Sequence, residues 1–410
     1  MVVYRIGGKN MSMIIAVNAG SSSLKFQLYK MPGYEVLVQG VVERIGQEVG
    51  QAVIKYNGKK ETIQEVFPTH SEGVDFILKA LLEYHIIESL EEIEACGHRI
   101  VHGGEYFNQS VVVDDEVIRK VEELCDLAPL HNPANLIGYR AFKEALPNVR
   151  HVFAFDTAFH QTLDRERYLY ALPYEYYTDL NVRKYGAHGL SHQYVSQRII
   201  NHLGNPKHSR IIVCHLGNGA SISAIEDGKC IDTSMGFTPL AGVMMGTRCG
   251  DVDPSIMPYL CQKLDKTPQE VLDIYNKQSG MLGVSGISSD SRDIEHALFK
   301  EGNERALLTG LLYARIVSKY IGSYVMELGG VDVIAFTAGI GENAPYLRAL
   351  IIDNVARALG CHLDVQLNNV CSDEDRVISL PSSQVEVMVV PTNEELVIVR
   401  DTVRLLGIGE

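Results

Sequence analysis

The sequence predicts an α/β protein built from two duplicated domains. Three observations carry that reading: the length, a strand–turn–strand segment that occurs twice, and a helix–strand–turn–helix segment near the end of the chain. At 410 residues the chain is too long for one ordinary core, and two domains of about 150–200 residues each are the natural division. The first strand–turn–strand segment runs from the β-rich Ile14–Val17 through Asn18-Ala19-Gly20-Ser21-Ser22-Ser23 into the alternating Leu24, Phe26 and Leu28. Two apolar strands joined by a short polar Gly/Ser turn form a hairpin whose exposed backbone N–H groups suit a phosphate. The second copy runs from Ile211–Cys214 through His215-Leu216-Gly217-Asn218-Gly219-Ala220-Ser221 into Ile222–Ile225. Aligning Gly20 with Gly217 sets Asn18 on His215 and Ser21 on Asn218, and two copies so far apart indicate a duplicated domain rather than a solenoid.

The third segment begins with apolar residues at helical spacing, Leu307, Leu308, Leu311, Leu312, Ile316, Val317, Tyr320, Ile321 and Tyr324. Gly329-Gly330 end that helix, and Val331–Phe336 reads as a strand. Gly339-Ile340-Gly341-Glu342-Asn343 then opens another helix, with Asn343 as N-cap and Pro345 in the first turn. A strand feeding a Gly-rich turn and a helix N-terminus is a cradle for a nucleotide phosphate. The chain holds no G-x-x-x-x-G-K-[ST], no G-x-G-x-x-G after its first strand, and neither H-E-x-x-H nor G-x-S-x-G, so the familiar P-loop, dinucleotide, zincin and serine-hydrolase signatures are absent.

Composition narrows the remaining classes. Hydrophobic residues at 46% and charged residues at 21% are those of a globular chain. A net charge of −14 argues against nucleic acid as partner, though not against a small anion in a locally positive cleft. No uncharged apolar run reaches the roughly 18–20 residues a membrane helix needs. The eight cysteines form no C-x-x-C pair, which removes the zinc and thioredoxin signals and fits a reducing, cytoplasmic location. Residues 1–12 read as an N-terminal extension, with Met11 and Met13 as candidate natural starts.

At this point a resemblance becomes specific. Asn18-Ala19-Gly20-Ser21-Ser22-Ser23-Leu24-Lys25, His215 to Ser221, and Met245-Gly246-Thr247-Arg248-Cys249-Gly250-Asp251-Val252-Asp253-Pro254 resemble the signatures of the acetate and propionate kinases. Gly97 to Gly104, Ala128 to Pro133, Phe155 to His160, Tyr185 to Gly189, Phe336 to Asn343 and Pro391 to Glu395 are similar to further segments of that family. Nine segments in the same order, from about residue 13 to 408, leave little room for coincidence. The resemblance implies the fold of the acetate and sugar kinase, Hsp70 and actin superfamily: two RNase H-like βββαβαβα domains with the active site in the interdomain cleft. It divides the chain into residues 13–157 plus 396–410 on the acetate side and residues 158–395 on the nucleotide side. Glu395 onward would form a last helix returning to the first domain.

The implied reaction is reversible transfer of the ATP γ-phosphoryl to acetate, giving acetyl phosphate and ADP, in a homodimer that uses Mg²⁺, with Mn²⁺ as an alternative. Such a transfer passes through a loose transition state and needs positioning and positive charge. It needs no strong base, because a carboxylate is already ionised at neutral pH. Arg99 and Arg248 offer the planar forks for that charge, and the resemblance sets both, with His188, beside the transferring phosphoryl. Arg248 lies in a Gly-Thr-Arg-Cys-Gly-Asp setting that lets the backbone approach closely. By the resemblance Glu394 and Asn18 position magnesium, directly or through water, and Asp156 orients either an arginine or a magnesium-bound water. Ser21, Ser23, Lys25, His215, Gly217, Asn218 and Gly219 would contact phosphates, and Gly339, Ile340, Gly341 and Asn343 the nucleotide. Val101, Leu130 and Pro239 would surround the substrate methyl, with His131 also on the substrate side. A β-branched Val101 leaves a small pocket that favours acetate over propionate. Ala187 and Leu190 depart from the residues more usual in the family, Phe and Thr respectively.

Three competing functions are weighed against this one. A propionate or butyrate kinase would want a roomier residue than Val101. A sugar kinase would want an Asp base and a polar pocket. An actin- or Hsp70-like nucleotide switch has no reason to hold Arg99, His188 and Arg248 at one site.

Overall fold

The computed structural model describes residues 12–408, so the expected extension 1–12 lies outside the described residues apart from Ser12. The chain forms two compact units, one running up to Ala158 and resuming at Asn393, the other Phe159–Thr392. The return to the first unit begins at Asn393, three residues upstream of the 396 expected from the sequence, and so takes in Glu394.

The first unit is an eight-stranded sheet. Its strands are β1 (Met13–Ala19), β2 (Ser23–Lys30), β3 (Glu35–Glu43), β4 (Gly50–Tyr56), β5 (Lys59–Glu65), β6 (Ile93–Ile100), β7 (Val111–Val112) and β8 (Arg150–Phe155), in the order β5-β4-β3-β2-β1-β6-β8-β7. β1 is buried on both faces, as its uninterrupted apolar run requires. It pairs antiparallel with β2, as the Gly/Ser hairpin predicts, and parallel with β6. The helices His70–Glu83 and Asn132–Ala145 cover one face, burying Val74, Ile77, Leu81 and Phe142 against Ile15, Val17, Leu24 and Phe26. Gly138 allows that contact, because a Cβ there would lie 2.4 Å from Ala19 Cβ. The helix Glu394–Leu406 packs on β6 at Gly97, where a Cβ would lie 2.4 Å from Ile398 Cγ2 and 2.7 Å from Thr402 Oγ1. The β4–β5 hairpin is not among the elements expected from the sequence, although Asn57-Gly58 marks it: both residues have positive φ, 48° and 72°, as a type I′ turn demands.

The second unit repeats the plan. Its strands are β9 (Arg210–Leu216), β10 (Ala220–Glu226), β11 (Lys229–Thr233), β12 (Val333–Thr337), β13 (Arg376–Val377) and β14 (Glu386–Val389), ordered β11-β10-β9-β12-β14-β13. β11-β10-β9-β12-β14 has the order of β3-β2-β1-β6-β8, with the same two antiparallel and two parallel pairings. The duplication inferred from two Gly-rich turns is therefore a duplication of sheet topology. The helix Glu304–Leu328 lies on one face with Tyr313, Val317, Ile321 and Tyr324 buried, capped by Asn303 at its start and by Gly329 at φ 65° at its end. The helix Gly189–His202 contributes Val195 and Ile199 to a smaller cluster with Ile211, Val213 and Val333.

One local expectation is corrected. Asn343 is not a helix N-cap: a short helix, Ala338–Asn343, follows β12 directly, and Ala344 precedes the next helix, Pro345–Leu359. The Asn343 amide instead donates back to Gly339 O at 3.0 Å. The early helix start comes from Glu342, whose Oε1 accepts the N–H of Ala338 at 2.8 Å and holds that residue at φ 64°.

Candidate active site

In the first unit three strand ends and the start of the last helix bring four expected residues together. Arg99, near the end of β6, meets Asp156, just past β8, through Nη2 and Oδ2 at 2.7 Å, and Glu394 Oε2 lies 3.7 Å from Nε. Asn18 Oδ1 is 3.4 Å from Nη1. The Asp156 side chain is fully buried, while those of Arg99 and Glu394 keep 17% and 19% exposure, so solvent still reaches part of the cluster. Burial alone would lower the pKa of Arg99, but Asp156 and then Glu394 outweigh it and hold the guanidinium above its ordinary value. Desolvation pushes the Glu394 carboxyl up to about 7, against the pull of Arg99 and with Asp156 and Glu395 adding to the rise. Arg99 thus faces two carboxylates, with Lys25 near enough to pull Glu394 down as well and an amide oxygen at the rim.

The turn beside this cluster is fixed from behind. Gly20 N–H donates to Ser23 O at 2.8 Å, and Gly20 O accepts from Nε2 of buried His70 at 2.7 Å. Asn135 joins the turn to the end of β6: its Nδ2 donates to Ala19 O at 2.6 Å while its Oδ1 accepts Val101 N–H at 3.0 Å. Asn132 does the same for His102, accepting its N–H and donating to its carbonyl. None of His70, Asn132 and Asn135 is singled out by the sequence patterning, although amides three apart on the buried face of an apolar helix are a usable signal. Lys25 lies opposite Asn18 in the hairpin register, and Ser21 is exposed at the turn tip with Ser23 partly so. Val101 is 7% exposed, but Leu130 is 71% exposed and His131 is exposed as well, so neither packs as a closed pocket wall.

In the second unit His188, His215, Gly219, Pro239 and Arg248 converge. His188 sits at the start of the helix Gly189–His202 in the left-handed region, φ 59°, and its ring stacks on His215 with centroids 4.0 Å apart. A Cβ placed on Gly219 would lie 3.0 Å from Arg248 Nη2 and 3.4 Å from His188 Nε2, so both groups reach the turn and a side chain there would crowd them. Arg248 donates through Nη1 to Pro239 O at 2.7 Å. Among the described residues it has no carboxylate partner, and burial pulls its pKa below the ordinary value. Its loop is tied down by Gly246 N–H on Asn218 O at 2.9 Å, and by Asp251, which accepts Gly242 N–H at 2.8 Å and receives the Tyr320 hydroxyl.

Gly217, Asn218, Gly339, Ile340 and Asn343 line a cavity of about 710 Å³ within this unit, together with Ser289–Arg292 and Glu295. Gly341 is not at its wall: it packs behind, 3.3 Å from the Phe336 backbone measured from an added Cβ. The Ser289–Arg292 wall goes unmarked in the sequence because a polar loop before a helix looks like any other helix start. Buried Arg348 braces the Gly339–Asn343 turn, donating to Gly341 O at 2.8 Å and Glu342 O at 2.9 Å. Elsewhere, buried Cys96, His98 and His151 bring possible ligand atoms within 4.8 Å of one another, a grouping that sequence spacing gives no sign of. His98 Nε2 and His151 Nδ1 hydrogen-bond one another at 2.9 Å, while His151 Nε2 is buried without a hydrogen-bond partner among the described residues.

Comparison with known proteins bears directly on this arrangement. The family model described as the acetokinase family matches residues 13–400. An acetate kinase of Geobacillus sp. (strain WCH70) is 55% identical over 402 residues, 97% of this chain and 100% of its own. The crystal structure of Porphyromonas gingivalis acetate kinase superposes with a TM-score of 0.91 at 47% identity, covering 96% of this chain and 100% of that one. A propionate kinase from Francisella tularensis superposes with a TM-score of 0.90 at 40% identity, covering 95% and 99%. With a match that spans both units and the Gly-rich turns of each, the chain belongs to the acetokinase family.

Proposed function

We propose that the protein catalyses reversible transfer of the γ-phosphoryl of ATP to acetate, giving acetyl phosphate and ADP. The observation that carries the reading is Arg248: a guanidinium drawn partly out of water, beside a glycine turn and His188, with no carboxylate of its own among the described residues. A desolvated cation without a counter-ion is suited to an anion that arrives with the substrate. His188 adds a hydrogen-bond donor on the same side of the Gly219 turn. Gly217, Asn218, Gly339, Ile340 and Asn343 line a cavity large enough for a nucleoside, and we assign it to ATP and ADP. Arg99, held by Asp156, then presents its remaining donors to the substrate carboxylate, while Ser21, Ser23 and Lys25 contact phosphates from the first hairpin.

Glu394 and Asn18 would hold Mg²⁺. The fit rests on the excess of carboxylate over arginine in that cluster and on the desolvated state of Glu394, both of which a divalent cation relieves. Bound there, magnesium neutralises charge on the nucleotide phosphates. Val101, Leu130 and Pro239, with His131, would bound the methyl group, which makes acetate the preferred acid and propionate a slower one. Eight free cysteines suit a reducing compartment, and among the described residues no helix is long and apolar enough to cross a membrane; we place the enzyme in the cytoplasm, as a homodimer. Trapping acyl phosphate with hydroxylamine tests the reaction. Hydroxamate should form with ATP, Mg²⁺ and acetate, and more slowly with propionate; none with any short carboxylate would overturn the proposal.

A further inference from the structure

We propose that Ser221 and His192 are positioning residues that fix the tautomer of His188, with its ring proton on Nε2. This inference rests on the kinase reading above for its functional consequence, but not for its structural content. Ser221 lies on β10 and is completely buried. Its Oγ is 2.9 Å from His188 Nδ1 and 2.7 Å from Nε2 of His192, which is also completely buried.

A hydroxyl has one hydrogen to give and two lone pairs to receive, and a neutral imidazole has one nitrogen of each kind. Three assignments are therefore open. If both histidines donate to Ser221, its own hydrogen is left without an acceptor, because Oγ has no other hydrogen bond among the described residues. If His188 donates from Nδ1 and Ser221 donates to His192, then His192 must carry its proton on Nδ1. That atom is buried and has no hydrogen-bond partner among the described residues, so a donor would be stranded there. In the third assignment His192 Nε2–H donates to Ser221, and Ser221 O–H donates to His188 Nδ1. Both hydrogens at the Ser221 hydroxyl then have an acceptor, and only a bare lone pair remains on His192 Nδ1. Stranded buried donors are the rarer defect in proteins, which favours the third assignment. Burial holds His192 neutral, with His160 and His215 acting in the same direction.

The consequence for His188 is directional. Its hydrogen sits on Nε2, the nitrogen that reaches the Gly219 turn alongside Arg248 Nη2. The ring is also fixed in place: His188 is in a left-handed backbone conformation, and the carbonyl before it, Ala187 O, accepts from His160 Nε2 at 3.0 Å. His215 is held on a parallel line, with Thr392 Oγ1 donating to Ser191 Oγ at 2.8 Å and Ser191 Oγ lying 2.8 Å from His215 Nδ1. A donor set in advance need not reorganise when negative charge develops on a phosphoryl oxygen.

Long-range ¹H–¹⁵N correlation spectra of the full-length protein read the tautomer directly. Wild type should show His188 with hydrogen on Nε2, and Ser221→Ala should show a mixture. In steady-state assays Ser221→Ala should lower kcat about tenfold with KM for ATP and acetate unchanged, since the lost preorganisation acts in the transition state. Ser221→Thr should restore both readouts, and His192→Gln, whose amide N–H can still donate to Ser221, should stay close to wild type. A wild-type His188 with hydrogen on Nδ1 overturns the proposal without reference to activity or to the folding of any variant. Absence of hydroxamate in wild type would instead sink the kinase reading and leave the tautomer result standing.

Discussion

Arg99 and Arg248 are assigned to the same transition state, yet the protein holds them in opposite ways. Arg99 is clamped by a buried carboxylate at 2.7 Å and has a second at 3.7 Å, so its charge is spoken for and its direction is set. Among the described residues Arg248 is held only by the carbonyl of Pro239 and the geometry of its glycine-bounded loop. Its charge is left uncompensated in a partly desolvated place. The first arrangement suits orientation of a substrate that brings its own single charge. The second suits charge that appears only as the phosphoryl is transferred, where an uncommitted cation contributes most.

Replacement of the two arginines by alanine should separate these roles. Arg248→Ala should lower kcat by about 10²–10³, the scale for deleting one preorganised transition-state donor, with little change in Tm. A near-normal kcat would remove Arg248 from the transition state. Arg99→Ala should also cripple turnover, but it removes the cation paired at 2.7 Å with the fully buried Asp156 carboxylate, and should cost about 3 kcal/mol of stability as well. A thermal melt distinguishes the two: Tm should fall by several degrees for Arg99→Ala and recover in part when Asp156→Asn is added. Equal melting losses for the two alanine variants would erase the distinction.

Buried histidines make both units sensitive to acid, the second through His192. In the first, burial lowers His151 to about 4, with Lys143 adding to the drop, and burial lowers His102 to about 4, with His131 adding. The unfolded chain takes up these protons near pH 6.5 while the folded one resists until about 4. Stability from each group is therefore complete above about pH 6.5 and is lost as pH falls from there toward 4, by about 2 kcal/mol per group at pH 5. Glu394 works the other way, because its raised carboxyl gains its proton in the folded state first. A single-residue comparison isolates the histidine effect: His151→Asn, which keeps a polar atom near Nδ1, should show a smaller loss of Tm between pH 7 and pH 5 than wild type. Parallel melting profiles would mean that His151 is not held neutral.

Much of this plan was legible in the chain and some of it could not have been. The two Gly-rich hairpins, the long helix ending at Gly329 and the strand after it are local features, set by alternation, by helical period and by glycine's access to positive φ. The pairing of Arg99 with Glu394 is not local. It depends on Gly97 admitting the last helix against β6, a contact between residues some three hundred positions apart that no window of sequence contains. The amides and hydroxyls that hold the site from behind, Asn135, Ser221 and Ser191, are invisible for another reason. Singly they resemble any polar residue, and only the pairing of one side chain with two partners gives them meaning. Asn343 shows the converse error. Its sequence context reads as a cap, but Glu342 starts the helix five residues earlier by taking the Ala338 N–H.

The smallest expected effect concerns which acid is used. Val101 is the buried member of the proposed methyl pocket, and its backbone N–H is held by Asn135 at 3.0 Å, so shortening the side chain leaves the strand where it is. Leu130, at 71% exposure, cannot form a closed wall by itself, which places most of the discrimination on Val101. A methylene in a hydrophobic pocket is worth about 1–3 kcal/mol, so Val101→Ala should move the propionate-to-acetate ratio of kcat/KM toward propionate by about tenfold. The change should appear mainly in KM for the acid, since the methyl group is bound alike in ground and transition states. A ratio that does not move would shift the selectivity to Pro239, whose carbonyl holds Arg248, and would mean that acid choice and charge placement share a single loop.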